Sequence, residues 1–260
     1  MKNTSLKVAL IGNPNTGKTS LFNQLTGLNQ QVGNYPGVTV ERKVGTCSLP
    51  QNKKATILDL PGTYSLNANS LDENLVIELL LNKNDKDYPN VAVVVTEVEN
   101  LKRNLLLFTQ IKDLEIPTIL VINMADQMML KGISLDIPKL EAALKTRIAL
   151  ISSRKATGIE ELKDLIVNYE MLSTEPCLNA SEIDSDYFNN LRRIYPNQQL
   201  YKLWLVISQD VNFGELSKNV IQNNSFSKSE EDLKKLQHKE TVKRYQFINE
   251  TLKDGKKVDL

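Results

Sequence analysis

The chain contains few cysteines, histidines and tryptophans. Its 260 residues include two cysteines, Cys47 and Cys177, one histidine and one tryptophan. The cysteines are too far apart for a zinc or redox motif and too few for a disulfide framework, so we expect two buried or half-buried thiols in a reducing compartment. His238 lies in a stretch rich in Lys and Glu and is expected to be exposed and without function, whereas Trp204 is expected in the core.

The sequence also lacks a long apolar run and an excess of charge. The runs 91–95 and 119–122 are far shorter than the ~18 residues that cross a bilayer, and residues 1–11 contain no signal-peptide core. The 32 basic and 31 acidic side chains leave a formal net charge of +1, which provides no field to attract nucleic acid or anionic lipid. With 41% apolar and 24% charged residues, the composition indicates a globular protein, and we expect a cytoplasmic location.

Seven of the eleven glycines lie within the first 62 residues, where loops must adopt conformations that side chains forbid. Up to about residue 170, short β-branched runs alternate with longer helical ones. This alternation predicts an α/β fold with a mostly parallel, six-stranded sheet and helices on both faces. After Pro176 the spacing becomes helical, so we predict one domain over residues 1–170 and a small all-helical domain over residues 171–260.

Three helix starts are predicted from capping patterns, in which a hydroxyl residue precedes an acidic residue by three positions. The patterns are Ser70 with Glu73, Thr157 with Glu160, and Ser229 with Asp232.

The most informative segment is 12–19, which fits G-x-x-x-x-G-K-[ST] between an apolar strand and a helical run. This context predicts a phosphate-binding loop, in which backbone amides and the helix N-terminus bind phosphates, Lys18 pairs with the β- and γ-phosphates, and the Thr19 hydroxyl binds Mg²⁺. The candidate nucleotide-binding residues of this segment are Asn13, Asn15, Thr16, Gly17, Lys18, Thr19 and Ser20.

A phosphate-binding loop alone is compatible with a kinase, an ATPase or a GTPase. Asp59 ends a second apolar run, where its carboxylate can hold Mg²⁺ through water, and Gly62 follows where a backbone amide can meet a γ-phosphate. Between these motifs lies a segment with two glycines and a proline, residues 31–41, which we predict to be a long loop. Its Thr39 is the second expected Mg²⁺ ligand, available only while a γ-phosphate orders the loop.

Two further segments follow apolar strands and favour guanine. Asp126 can accept hydrogen bonds from the ring N–H and the exocyclic amine of guanine, a donor pair that adenine lacks. Each segment alone is weak evidence, but their order along the chain predicts a guanine-nucleotide site. The candidate base-binding residues are Asn123, Met124, Asp126, Ser152, Ser153 and Arg154.

Together, segments 12–23, 32–41, 59–66 and 123–126 resemble the cytoplasmic N-terminal G domain of the bacterial ferrous iron transporter B family, FeoB. The resemblance covers residues 6 to about 168 and implies a Ras-like P-loop GTPase domain with GTP or GDP and Mg²⁺. The region after Pro176 resembles, more loosely, the family's helical domain, described as a guanine-nucleotide dissociation inhibitor region. Membership of this family implies a membrane domain as partner and a location at the bacterial inner membrane. It also implies that the sequence lacks a membrane span because the chain is truncated.

The resemblance also implies a K⁺ ion held by Asn15 and by the backbone carbonyls of Gly33 and Tyr35. Thr63 stands where Ras-like enzymes carry the glutamine that orients water, and no obvious arginine finger occupies the segment 31–41, so a cation could supply the missing positive charge. The expected catalytic residues are therefore Lys18, Thr39, Gly62 and Asn15. Arg42 is the nearest basic side chain but is interpreted as a loop-edge residue, and Tyr35 is expected to be exposed.

Two segments depart from the family pattern. The chain has Thr96-Glu97-Val98-Glu99 before Asn100, where the family commonly has an Asp-Ala pair, and Ser153 replaces the usual alanine of the base loop. Slow hydrolysis and fast nucleotide release are both compatible with these changes.

Three functions are candidates for such a sequence: a GTPase regulating iron transport, a soluble GTPase acting on ribosomes or RNA, and a nucleotide-responsive module without catalysis. The second lacks a strongly basic appendage, because residues 226–260 hold nine Lys/Arg against seven Asp/Glu. The third conflicts with the intact Lys18, Thr19, Thr39 and Asp59. We therefore predict a slow GTPase with no nucleic-acid partner, and a second copy of the chain remains an open candidate partner.

Overall fold

The computed structural model describes residues 5–211 and 213–259. Residues 1–4, on which part of the signal-peptide prediction rests, lie outside this range. The strands of the described residues are β1 (Leu6–Gly12), β2 (Gln30–Asn34), β3 (Glu41–Ser48), β4 (Lys54–Asp59), β5 (Val91–Glu97), β6 (Thr118–Asn123), β7 (Ile133–Leu135), β8 (Arg147–Leu150) and β9 (Lys256–Val258). Their α-helices are α1 (Lys18–Thr26), α2 (Leu71–Leu81), α3 (Leu101–Asp113), α4 (Ile137–Leu144), α5 (Ile159–Val167), α6 (Ser185–Ile194), α7 (Leu200–Gln209), α8 (Lys218–Asn224) and α9 (Glu230–Gly255).

The main sheet has the strand order β2-β3-β4-β1-β5-β6-β8. Strand β1 pairs in parallel with β4 and β5, and the parallel pairing continues through β6 to β8. Strands β2 and β3 add an antiparallel edge. The mostly parallel α/β sheet is confirmed, but it contains seven strands within the described residues instead of the six predicted.

The prediction of a loop over residues 31–41 was wrong for its first part. Residues Gln30–Asn34 form β2, which pairs antiparallel with β3. The Tyr35 amide donates to the Val40 carbonyl at 3.0 Å, and Gly37 has a φ of +76°, so residues 35–40 form the connection of a hairpin. Gly37 therefore allows the chain to turn, and only the connection 35–40 lies outside the sheet.

The two faces of the sheet bury alternate side chains of β1. Val8 and Leu10 pack in a cluster with α1 and α5, whereas Ala9 and Ile11 join a cluster that contains α2, α3 and α4. Since the parallel strands run in the same direction, the segments after β1, β4, β5, β6 and β8 emerge at one edge of the sheet.

The second cluster continues into the helices that follow residue 176. Trp204 is 2% exposed within it, which confirms its core position. The 26-residue α9, about 39 Å long at 1.5 Å per residue, packs against α3 and α4. A boundary near residue 170 stays a prediction. No helix of residues 5–211 and 213–259 has the length and hydropathy required to cross a membrane.

Two of the three predicted caps are confirmed. The hydroxyls of Ser70 and Ser229 accept hydrogen bonds from the amides of Glu73 and Asp232. The third helix, α5, also begins where predicted, but its cap was wrong, because Gly158 with a φ of +77° precedes it. Thr157 instead exchanges backbone hydrogen bonds of 3.1 Å with Ser152, which closes the loop between β8 and α5.

Candidate nucleotide-binding site

The phosphate-binding loop connects β1 to α1, as the motif predicts. Gly12 ends the strand, and a Cβ there would lie 2.7 Å from the Val95 carbonyl oxygen. Gly17 has a φ of +81°, and a Cβ there would lie 2.2 Å from Nδ2 of Asn123. Both glycines are therefore required by close approach of neighbouring groups, and Gly17 also by its backbone conformation.

Lys18 lies at the first turn of α1 and reaches the end of β4. Its Nζ contacts Oδ1 of Asp59 and donates to the Leu60 carbonyl at 2.7 Å. Both side chains are largely buried, with 10% and 6% of their surfaces exposed. The predicted phosphate ligand and the predicted Mg²⁺ ligand are thus adjacent at one strand edge.

The segment after Asp59 is fixed to the phosphate-binding loop. The Thr63 amide donates to the Gly12 carbonyl at 3.1 Å, and a Cβ at Gly62 would lie 3.2 Å from Cγ of Pro14. The Thr63 side chain is 1% exposed, and its hydroxyl donates to the Ser65 carbonyl at 2.8 Å. Thr63 therefore faces the interior.

Asn123 connects both ends of the site. Its Nδ2 donates to the Thr16 carbonyl at 2.9 Å and to Oγ of Ser153 at 3.0 Å, and its Oδ1 accepts from the Ser153 amide at 3.0 Å. The side chain is 1% exposed. The phosphate-binding loop, the segment after β6 and the segment after β8 therefore form one hydrogen-bonded unit.

Asp126 belongs to the same unit. Its carboxylate accepts from Nε2 of Gln127 at 3.0 Å, and a hydrogen bond from the Ser152 side chain, followed by that from Gln127, lowers the pKa of Asp126 below its usual range. The Ala125 amide donates to the Ile151 carbonyl at 2.9 Å. These hydrogen bonds therefore hold the carboxylate beside the base loop. Met124, with a φ of +62°, is half-buried between Asn123 and this turn.

The remaining predicted site residues differ in position. Thr19, Ser20, Thr39 and Arg154 are exposed, the first two on α1, Thr39 in the hairpin connection and Arg154 after β8. Asn15 is exposed with a φ of +67°, and Gly33 lies in β2 opposite Arg42. Within the described residues, no hydrogen bond joins Asn15 to Gly33 or Tyr35.

The expectation that Tyr35 is exposed was wrong. The side chain is half-buried and its hydroxyl is enclosed without a hydrogen-bond partner in the described residues. Burial raises the pKa of Tyr35 to about 12, with Arg42 acting in the opposite direction and Asp87 adding to it. Arg42 itself donates to Asp87 at 2.7 Å, so both side chains of the hairpin lie against the sheet edge.

Glu97 is a residue of this region whose role was not predicted. Its carboxylate accepts from the amides of Glu99 and Asn100, each at 2.9 Å, and so fixes the turn that precedes α3. Glu97 also lines a cavity of about 140 Å³ behind the phosphate-binding loop. Asn13 lines the same cavity, is 2% exposed, and has no hydrogen-bond partner for its amide among the described residues.

Comparison with known proteins places these features in one family. Residues 6–166 match the family model of the ferrous iron transport protein B. The chain is 44% identical over 163 residues to the Fe(2+) transporter FeoB of Leptospira biflexa, covering 63% of this chain and 23% of that relative. It is also 44% identical over 196 residues to the Fe(2+) transporter FeoB of Escherichia coli strain K12, covering 74% of this chain and 25% of that relative.

A solved structure shares the fold of nearly the whole chain. The cytosolic domain of the T. maritima FeoB iron transporter in GDP form superimposes with a TM-score of 0.87 at 28% identity, covering 99% of this chain and 100% of that one. The same domain in GMPPNP form gives a TM-score of 0.84, also at 28% identity, and covers 97% and 99%. The predicted P-loop GTPase fold is thereby confirmed.

The matches cover different shares of this chain and of its relatives. The chain spans about a quarter of the length of the curated relatives it matches. The family model matches more than half of the chain, including the phosphate-binding loop and both base loops. The chain therefore belongs to the ferrous iron transport protein B family.

Proposed function

We propose that this chain binds guanine nucleotide and hydrolyses GTP slowly, as the regulatory G domain of a ferrous iron transporter. The observation that supports this most directly is the contact of Asn123 with Thr16 and Ser153, because it joins a phosphate site to a base site. The T. maritima domain, solved in GDP and GMPPNP forms, binds the same class of ligand.

The preference for guanine follows from Asp126. An ionised carboxylate accepts hydrogen bonds only, and the ring N–H and exocyclic amine of guanine supply two adjacent donors. Adenine would leave this carboxylate without both partners, which costs binding free energy. Hydrogen bonds from Ser152 and Gln127 hold this carboxylate in position.

The oxygen donors near Lys18 fit Mg²⁺. Asp59 provides a buried carboxylate, and Thr19 and Thr39 provide exposed hydroxyls, which is the oxygen set that this cation prefers. When bound, Mg²⁺ neutralises charge on the β- and γ-phosphates. Lys18 adds an ammonium at the same position, and binding of nucleotide requires its contact with Asp59 to be exchanged for phosphate oxygens.

The proposed function includes a potassium ion bound at Asn15. Thr63 is buried and Arg42 is paired with Asp87, so neither supplies the water-orienting or cationic group of other GTPases. Asn15 is exposed beside the phosphate-binding loop. Carbonyl oxygens of Gly33, in β2, and of Tyr35, in the connection 35–40, would complete the K⁺ site once the whole hairpin moves toward the nucleotide.

The segment after Asp59 is hydrogen-bonded to α3 and, through one contact, to α7 of the helical region. The Leu66 amide donates to Oε1 of Gln110 on α3 at 2.9 Å, and the Ala68 amide donates to Oε1 of Gln209 on α7 at 2.8 Å. Movement of this segment on hydrolysis would break or shift the bond to Gln209. The helical region would pass this change to the transporter's membrane domain.

The proposal is tested by GTP turnover of the parent and of Asn15→Ala, measured in KCl and in NaCl. We expect the parent to be faster in KCl and the variant to lose this difference. Equal turnover of the parent in both salts would exclude the potassium site, and no turnover or nucleotide binding in either salt would exclude the GTPase function itself.

A further inference from the structure

The segment that follows α9 reaches the edge of the nucleotide site. Nζ of Lys256, the first residue of β9, donates to the carbonyl oxygens of Val98 at 2.8 Å and Glu99 at 3.3 Å. These carbonyls belong to the turn between β5 and α3. The contact joins residues 157 or more positions apart in sequence.

Val98 connects this lysine to the base site. Its own amide donates to the Asn123 carbonyl at 3.2 Å. Val98 is fully buried and Asn123 is 1% exposed, so the side chains of both residues have little freedom to move. One residue thus lies between the ammonium of Lys256 and the asparagine that holds Thr16 and Ser153.

A second connection reaches the same site from the other side. Strand β9 pairs antiparallel with β7, with Lys256 opposite Leu135. The Asp259 amide donates to the Gly132 carbonyl at 2.8 Å, and the Ile133 amide donates to the Met128 carbonyl at 2.9 Å. Because β7 follows the turn that carries Asp126, β9 restrains this turn as well.

We propose that Lys256 is a positioning residue for the guanine-binding loop, acting on Asn123 through Val98 and on the turn after Asn123 through β9. The inference rests on the proposed function, since it concerns the affinity of that same nucleotide site.

The chemistry of Lys256 suits this role. An ammonium can donate to two carbonyl oxygens at once, and such charge-assisted bonds are stronger than neutral ones. The charged groups that face it are the carboxylates of Glu97 and Glu99, and Glu99 also lies 3.5 Å from Nζ of Lys131. Lys256→Met removes the ammonium and would free the Val98 turn while keeping an unbranched apolar side chain of nearly the same length.

The consequence is a path from α9 to the base loop. A displacement of α9 that pulls β9 away would loosen Asn123 and the turn of Asp126 without contact to the phosphates. Nucleotide release would then accelerate, while the chemistry at Lys18 and Asp59 would be unchanged. This separation between release and hydrolysis is what the experiment measures.

The test compares the parent with Lys256→Met, Lys256→Arg and the control Lys257→Met, using fluorescent GDP and full-length chains of this sequence. Lys257 is the next residue of β9, exposed and on the opposite side of the strand. We expect Lys256→Met to release GDP about five- to tenfold faster, as loss of a charge-assisted hydrogen bond predicts. Lys256→Arg should restore slow release, and turnover at saturating GTP should be the same for all four proteins.

Several outcomes would overturn the inference. These are equal release rates for the parent and Lys256→Met, an equal acceleration in Lys257→Met, or a parallel loss of turnover at saturation. If Lys256→Met does not fold, Lys256→Gln is measured against the same criteria. A parent that binds no GDP would instead refute the proposed function, so the two failures are distinguishable.

Discussion

The side-chain nitrogen Nδ2 of Asn123 donates to the backbone carbonyl of Thr16 at 2.9 Å, across 107 positions of sequence. The contact fixes the distance between the loop that is proposed to hold phosphates and the loop that is proposed to hold the base. Since the Cβ of any larger residue at position 17 would lie 2.2 Å from the same nitrogen, the two loops can approach this closely only with Gly17 between them.

Replacing Asn123 by alanine should weaken nucleotide binding without unfolding the protein. The substitution removes the hydrogen bonds to Thr16 and Ser153, and we expect the affinity for GDP to fall by about 10- to 100-fold. Isothermal titration calorimetry measures this, with Asn168→Ala, at the exposed residue that follows α5, as the control. An unchanged affinity in Asn123→Ala would show that this residue does not organise the site.

A buried ion pair joins α9 to α3, and its removal should destabilise the whole chain. Arg244 donates to Asp113 at 2.8 Å and to Glu240 at 2.8 Å, and its side chain is 2% exposed. Arg244→Met leaves two carboxylates without their cation, so the free energy of unfolding should fall by about 3–5 kcal/mol. Urea denaturation measures it against the exposed Arg193→Met. A loss below about 1 kcal/mol, as expected of surface pairs, would contradict this interpretation.

Lys202 should make the stability depend on pH in the alkaline range. It is 6% exposed, and its Nζ lies 3.3 Å from the ring centre of Phe213. Burial, followed by the nearby charge of Lys83, lowers the pKa of Lys202 from 10.5 to about 8. Between these two pKa values the unfolded chain therefore binds more protons than the folded chain. The contribution of Lys202 to the free energy of unfolding rises with pH across that window.

The variant Lys202→Met removes this dependence. It should exceed the parent in free energy of unfolding by about 1 kcal/mol near neutral pH, because contact with the ring offsets part of the cost of burying the charge. The difference should shrink as the pH rises through the window. Thermal unfolding at several pH values measures it, with the exposed Lys253→Met as control. A difference that is independent of pH would refute the assignment to Lys202.

The local features of the site could be predicted from the sequence. The phosphate-binding loop was identified because its glycines and Lys18 stand at fixed positions between an apolar strand and a helix. Asp59 and Asn123 were placed at strand ends because their preceding runs are short and apolar. The edge strand β2 was missed because its residues resemble a loop and become a strand only by pairing with β3.

The long-range contacts could not be predicted from the sequence. Lys256, Gln209 and Arg244 each meet partners more than 100 positions away, and no local pattern in their own segments indicates those partners. Tyr35 was expected to be exposed, but its side chain is half-buried and its hydroxyl is enclosed. Such contacts depend on how elements pack, which periodicity and motifs do not encode.

The most direct measurement of the central claim compares the affinities for GDP and for xanthosine diphosphate in the parent and in Asp126→Asn. Xanthine carries an oxygen in place of the exocyclic amine, so an amide at position 126 can donate to it where a carboxylate cannot. The account predicts that the parent prefers GDP and that Asp126→Asn prefers the xanthine nucleotide, each by about tenfold or more. An unchanged preference for guanine in Asp126→Asn would contradict it.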